Sequence, residues 1–262
     1  MREKNDIEKM GLYGSVKSIK IKKYNVIIKF GKITKGRIDS SFSSINSYII
    51  FNTKGYKIEH GFYNNWNNDL DEIYKYKYNK KGYLIKVNTY KPDGTFYEKF
   101  KFKYEEKGNT VDRSMYITDG SLKDKTLYKY DDKGNQIERN KYKFDGSLDI
   151  KQIRKYNNKG LPVEEYYYNS DGSIDDKYYN KFNNFGFIIE TDVFDSDGNL
   201  NKKHKFKYDD KRNKIEVIHL NTDGSFNDMY RYEYDKNDNW IKQIEYRNDI
   251  PKQLIERTIE YY

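Results

Sequence analysis

The sequence predicts an all-β protein in which tandem 26-residue β-hairpins form one long, curled antiparallel meander, a spiral or partial shell, with a closed barrel or a face-to-face dimer as the alternative. Three observations carry that prediction. Asp-Gly pairs stand at Asp93-Gly94, Asp119-Gly120, Asp145-Gly146, Asp171-Gly172, Asp197-Gly198 and Asp223-Gly224, each 26 residues after the last. A second series, Gly82, Gly108, Gly134, Gly160 and Gly186, keeps the same interval, and its next two slots hold Arg212 and Asp238. Two columns stay in phase with both series. Four residues before the glycine slot stand Tyr78, Tyr104, Tyr130, Tyr156, Phe182, Tyr208 and Tyr234; three after it stand Ile85, Val111, Ile137, Val163, Ile189, Ile215 and Ile241. A unit with two turn signals makes two strands, because glycine supplies the positive φ of tight turns and Tyr, Phe, Ile and Val suit a pleated, half-buried surface.

Residues 1–47 do not fit the period. They contain the strand-like stretch "SVKSIKIKKYNVIIKF" and read as an N-terminal cap with β-strands, since a terminal repeat has no neighbour on its outer face. From 48 to 262 the chain reads as eight tandem hairpins in one continuous domain. The first copy is loose, with Phe51, Gly55, Ile58 and Tyr63 but no Asp-Gly pair, and seven regular copies follow.

Charge sets the expected register. Five before the glycine slot stand Lys77, Lys103, Lys129, Lys155, Lys181 and Lys207, then Glu233; four after it stand Lys86, Asp112, Glu138, Glu164, Glu190 and Glu216, then Lys242. Both signs reverse together in the last copy, as a directly opposed cross-strand pair would require. Only Lys77 with Lys86 breaks the rule. The same register places the tyrosine column opposite the aliphatic column. One face of the first strand is then aromatic and the other carries lysine. In the second strand the aliphatic and the aromatic five residues later, such as Ile137 and Tyr142, differ in parity, so either a β-bulge shifts the phase between them, which is the favoured reading, or both faces are partly covered.

Two stretches, "YKYDDKGNQIE" (128 to 138) and "YEYDKNDNWIK" (232 to 242), resemble the tyrosine-aspartate (YD) repeats of Rhs-type proteins and teneurins. The resemblance covers the repeats, and the opening "GSVKSIKIKKYNVIIKFGKITKG" is similar to the start of uncharacterised bacterial proteins with such repeats. It implies a coiled β-sheet scaffold. In large members of that family such sheets form a shell around a toxin domain, and carbohydrate binding has been proposed for them.

Composition narrows the function classes. The chain has 50 Lys plus Arg against 41 Asp plus Glu, is 35% charged and only 35% hydrophobic, a balance that would suggest disorder. Its 29 tyrosines and 14 phenylalanines reverse that reading, because in fixed columns they supply a thin aromatic core. No cysteine is present, so disulfides, thiolate metal sites and cysteine nucleophiles are excluded. The N-terminal "MREKNDIEKMGLYG" has no apolar signal-type stretch and no window is long and apolar enough to span a bilayer, so the expected location is cytoplasmic, or secreted if a signal peptide has been removed, with no membrane partner.

Candidate chemistry is sparse. His60, His204 and His219 are the only histidines, and the last two occupy repeat columns rather than a ligand spacing. The Asp-Gly-Ser turns lack the alternating oxygens of a calcium loop. Acids recur in every unit, and no pair is singled out for acid-base work. No phosphate loop, nucleophile elbow or zinc-protease motif occurs. The residues left as candidates for partner binding are two lysine columns, Lys99, Lys125, Lys151, Lys177 and Lys203 with Lys103, Lys129, Lys155, Lys181 and Lys207, and two tryptophans that break the pattern, Trp66 and Trp240. The expected function is a non-enzymatic scaffold without a cofactor that binds another protein, for instance as an inhibitor of a host defence system such as CRISPR. Carbohydrate or cell-surface binding is the alternative, and nucleic-acid binding along the lysines is a second one.

Overall fold

A computed structural model describes residues 4–39, 46–64 and 67–262. Their elements are a short helix α1 (Asp6–Lys9), strands β1 (Val16–Lys29) and β2 (Lys32–Ile38), then seventeen further strands from β3 (Ser47–Phe51) to β19 (Ile250–Tyr261). The chain is all-β and antiparallel, but it does not spiral. β1 pairs on one side with β19, from Val16–Tyr261 to Asn25–Gln253, and on the other with β3, from Ser18–Ile50 to Ile21–Ser47. The two ends of the meander therefore meet, and β1 with β3 to β19 close an 18-strand barrel. Closure pairs both ends of the meander with β1, which is the physical advantage over an open spiral. β2 stands outside that ring and pairs with the distal part of β1, from Tyr24–Ile38 to Lys29–Lys32.

The register reproduces the charge column and corrects the aromatic one. In the hairpin of β9 (Leu122–Tyr130) and β10 (Gln136–Lys143), Lys129 faces Glu138, as expected, but Tyr130 faces Gln136 and Ile137 is skipped. The same step recurs at Lys103–Asp112 with Tyr104–Thr110, Lys155–Glu164 with Tyr156–Pro162, and Lys181–Glu190 with Phe182–Ile188. The turn causes it. Asp131 N–H donates to Asn135 C=O and Gly134 N–H to Asp131 C=O, so the three-residue loop pairs Tyr130 one position earlier than the charges require. The aliphatic column is itself the bulge. A second bulge lies at the other end of each hairpin, as where Lys141 faces Ile150 and Tyr142 faces Leu148.

Backbone contacts divide the chain into two compact units. The first comprises Met1–Glu98, Tyr208–Glu216 and Asp228–Tyr262. Its core is Ile7, Leu12, Val16, Ile19, Ile49 and Phe51, packed by Ile21, Ile259 and Tyr261. Asn5 caps α1 reciprocally with Glu8, and Ile7 N–H donates to Gly55 C=O, which docks the helix on the turn of the first repeat.

The second unit comprises Lys99–Lys207 and Val217–Asn227. Its buried residues mix apolar Met115, Val193 and Val217 with polar Asp112, Ser114, Thr126, Gln152 and Thr191. Hydroxyls of the tyrosine column stitch its copies together. Tyr130 Oη donates to Thr110 C=O at 2.8 Å and Tyr156 Oη to Gln136 C=O at 2.7 Å. Where the column holds Phe182, the Asn180 amide donates to the equivalent carbonyl of Pro162 at 3.0 Å.

Candidate functional site

The lysine columns lie in the second unit, and most are occupied by neighbouring side chains. Lys103 and Lys125 approach the buried Asp112 at 4.0 and 3.2 Å. Lys129 meets Glu138 at 2.8 Å and Lys155 meets Glu164 at 2.9 Å. Lys203 reaches Glu190 at 3.1 Å and Asp192 at 2.7 Å, and Lys181 also pairs with both acids. Lys99 sits over the Tyr116 ring at 5.2 Å. The hydrogen bond from Lys129 holds the Glu138 carboxyl below its ordinary range, with Lys151 adding to the effect through its charge. Lys177 stands opposite Phe194 and lines a shallow recess with Tyr179 and Asp192, and Lys207 lies exposed near the end of its strand. The two columns thus form cross-strand lysine–carboxylate ladders rather than a single-signed face.

Trp66 lies outside the described residues. His204 and His219 meet ring to ring at 4.2 Å, and among the described residues no group of three or more His, Asp or Glu is arranged to hold a metal ion.

The other departures from the repeat converge on one place in the first unit. Arg212 and Asp238 occupy the glycine slot with φ of 73° and 61°, and their N–H groups close the same turn as the glycines, donating to Asp209 and Asp235 C=O. The turn geometry is kept, so what changes is only the side chain at the turn. Both residues line a recess of about 190 Å³ together with Trp240, Arg257, Lys214, Tyr208 and Tyr234, and the chain after α1, Met10 to Tyr13, forms another wall. Asn239 fixes that wall. It is 2% exposed, accepts from Tyr13 N–H at 2.9 Å and donates to Tyr13 C=O at 2.9 Å.

The recess is cationic and aromatic. The Arg257 guanidinium lies 4.3 Å from the centre of the Trp240 ring and donates to Trp240 C=O at 3.3 Å. Burial pulls its pKa down to about 10, against the opposing charges of Tyr261 and Asp235, and its buried Nε has no hydrogen-bond partner among the described residues. Burial also lowers the Lys214 pKa. The single acid of the lining, Asp238, is engaged by Lys211 at 3.0 Å. Desolvation disfavours the Asp235 carboxylate, but the Tyr261 hydroxyl and backbone N–H groups outweigh it and hold the carboxyl low. A recess with this lining suits an anionic group, a carboxylate above all, entering beside an aromatic ring.

Trp240 is the one member of this recess that the sequence singled out for binding. Arg257 and Tyr13 escaped notice because neither belongs to a repeat column. Asn239 could have been found, since it follows the altered glycine slot at Asp238.

No protein-family profile and no curated protein matches the chain. Solved structures similar to it include the Photorhabdus luminescens Tc holotoxin pore, at 11% identity and a TM-score of 0.40, covering 89% of this chain and 13% of that one. The crystal structure of TcdB2-TccC3 is similar at 9% identity and a TM-score of 0.32, covering 87% of this chain and 19% of that one. A porin-like protein from Bacteroides uniformis is similar at 11% identity and a TM-score of 0.48, covering 94% of this chain and 98% of that one. The chain thus spans a small fraction of the toxin chains it is similar to.

Proposed function

We propose that the protein is a non-enzymatic β-repeat scaffold that binds another protein, and that the recess around Trp240 and Arg257 receives an acidic side chain of that partner. The observation that supports this is the convergence of Arg212, Asp238 and Trp240, three departures from an otherwise regular repeat, on one cationic, aromatic recess. Tryptophan, tyrosine and arginine are the side chains that most often dominate protein interfaces. Met10 and Tyr13, both exposed at the same recess, add apolar contact area. The internally paired lysine columns leave less charge for a nucleic-acid backbone, which ranks that reading lower.

Inhibition of a host defence system such as CRISPR is the specific form of this reading that a nuclease-interference assay addresses. Carbohydrate binding is the second reading. Its support is the recess lined by Tyr179, Phe194, Asp192 and Lys177, where an aromatic face adjoins charged groups.

The test is affinity capture from the native source with the wild-type chain and with Arg212→Glu, at low and high salt. The reading expects one protein retained by the wild type and lost from the variant. Equal capture by both, or recovery of nucleic acid or glycan in place of protein, would overturn it.

A further inference from the structure

The β1–β2 hairpin breaks local rules at three points, all at its tip. Lys29 pairs with Lys32, so the connecting turn is Phe30-Gly31, with φ of 50° and 72°. Two positive φ values define a type I′ turn, which favours Asn-Gly and disfavours a bulky ring. The comparable turn Asn248-Asp249, at φ of 49° and 59°, uses residues that tolerate this conformation. Phe30 is also fully exposed, and Ile27 and Ile28 are 42% and 56% exposed. Finally, Lys29 and Lys32 stand directly opposite each other, a like-charge pairing that destabilises an antiparallel ladder.

Such violations persist where the surroundings or a ligand compensate for them. The tip extends past the last pairing of β1 with β19 at Asn25–Gln253. Ile28 faces Ile33 across the hairpin, so these side chains form an apolar cap with Phe30 at the turn. Behind the cap the charge is of one sign. From Val16 to Ile38 the chain carries Lys17, Lys20, Lys22, Lys23, Lys29, Lys32, Lys35 and Arg37, and no Asp or Glu. At the base of the hairpin, Lys23 is paired with Asp39 and Lys35 with Glu256, whereas Lys29 and Lys32 are exposed at the tip.

We propose that this hairpin docks on an anionic lipid surface, with Phe30, Ile28 and Ile27 entering the headgroup region and Lys29 and Lys32 meeting lipid phosphates and carboxylates. An aromatic and aliphatic tip backed by lysines is the pattern of interfacial anchoring. The anionic surface relieves the Lys29–Lys32 repulsion, and burial of Phe30 offsets its backbone strain. The apolar run Val26-Ile27-Ile28 is far too short to span a bilayer, so the expectation of no membrane partner, which follows from spanning length, does not extend to such an anchor.

The experiment is co-sedimentation of the full chain with vesicles of phosphatidylcholine alone and of phosphatidylcholine with phosphatidylserine. Two variants accompany it: Ile28→Thr with Phe30→Asn, which installs the preferred turn residue and so favours folding, and Lys29→Gln with Lys32→Gln. The wild type should bind the anionic vesicles, and each variant should bind them roughly tenfold or more weakly while keeping the wild-type circular dichroism. No binding by the wild type, equal binding to neutral vesicles, or wild-type binding by the Ile28/Phe30 variant would overturn the proposal.

Discussion

The hydroxyl of Tyr156 donates a 2.7 Å hydrogen bond to the C=O of Gln136, twenty residues back and in the preceding copy of the repeat. Tyr130 makes the equivalent bond to Thr110, and Tyr234 to Lys214. This contact explains why the column prefers tyrosine to phenylalanine. The ring covers the sheet and the hydroxyl satisfies a carbonyl beside the bulge. Tyr156→Phe should lower unfolding free energy by about 1–2 kcal/mol, because it leaves that carbonyl without its donor. Chemical denaturation would measure the loss. Phe182→Tyr, where Asn180 already serves the equivalent carbonyl, should give no comparable gain.

Asn239 ties the chain after α1 to the last repeat by two hydrogen bonds with Tyr13. Asn239→Ala removes both and leaves two backbone groups of Tyr13 unpaired. The expected cost is roughly 2–4 kcal/mol. Hydrogen exchange should show the loosening concentrated at residues 10–14.

Arg212 holds a glycine slot at φ 73°. Arg212→Gly removes side-chain strain there but adds the entropy of glycine to the unfolded chain. The net expectation is a stabilisation of about 0.5–1 kcal/mol, seen as a higher Tm, together with weaker partner capture. A variant that is both more stable and less able to bind would mark the arginine as kept for function.

Acid should unfold the protein in two stages. Burial lowers the His60 pKa from 6.5 to about 4, so the unfolded chain takes up a proton first and stability falls as pH drops from about 6.5 towards 4. Glu138, Glu164 and Glu190 are held below 4.5 by hydrogen bonds from Lys129, from Tyr166 with Lys155, and from Lys181. Their contribution is present above that value and lost as pH falls through their folded values. A Tm series across this range should show both slopes, and His60→Phe should remove the upper one.

The repeat, its period and its lysine–acid pairing were legible because each column is written several times over and the reversal at Glu233 and Lys242 fixes which residues face each other. The tyrosine partner was misplaced because the three-residue loop and the skipped Ile137 shift register by one, and parity alone does not reveal where the extra residue sits. Closure could be weighed only as an alternative, for a different reason. It depends on β1, from the segment outside the period, pairing with both β3 and β19. The lysine columns were visible because they repeat in the sequence, whereas Arg257 reaches the recess only through folding.

Charge reversal separates structural lysines from binding ones. Lys129→Glu should lower Tm, and adding Glu138→Lys should restore it, as the natural reversal at Glu233 and Lys242 implies. Partner capture should be unchanged in the restored double variant.

The most direct test is site-specific photocrosslinking in the native source, with a benzophenone amino acid placed at Tyr13, beside the recess, or at Lys125, in the lysine ladder. The account predicts a covalent protein adduct from position 13 that disappears with Arg212→Glu, and none from position 125. An adduct from position 125 alone, or from position 13 regardless of Arg212, would contradict it.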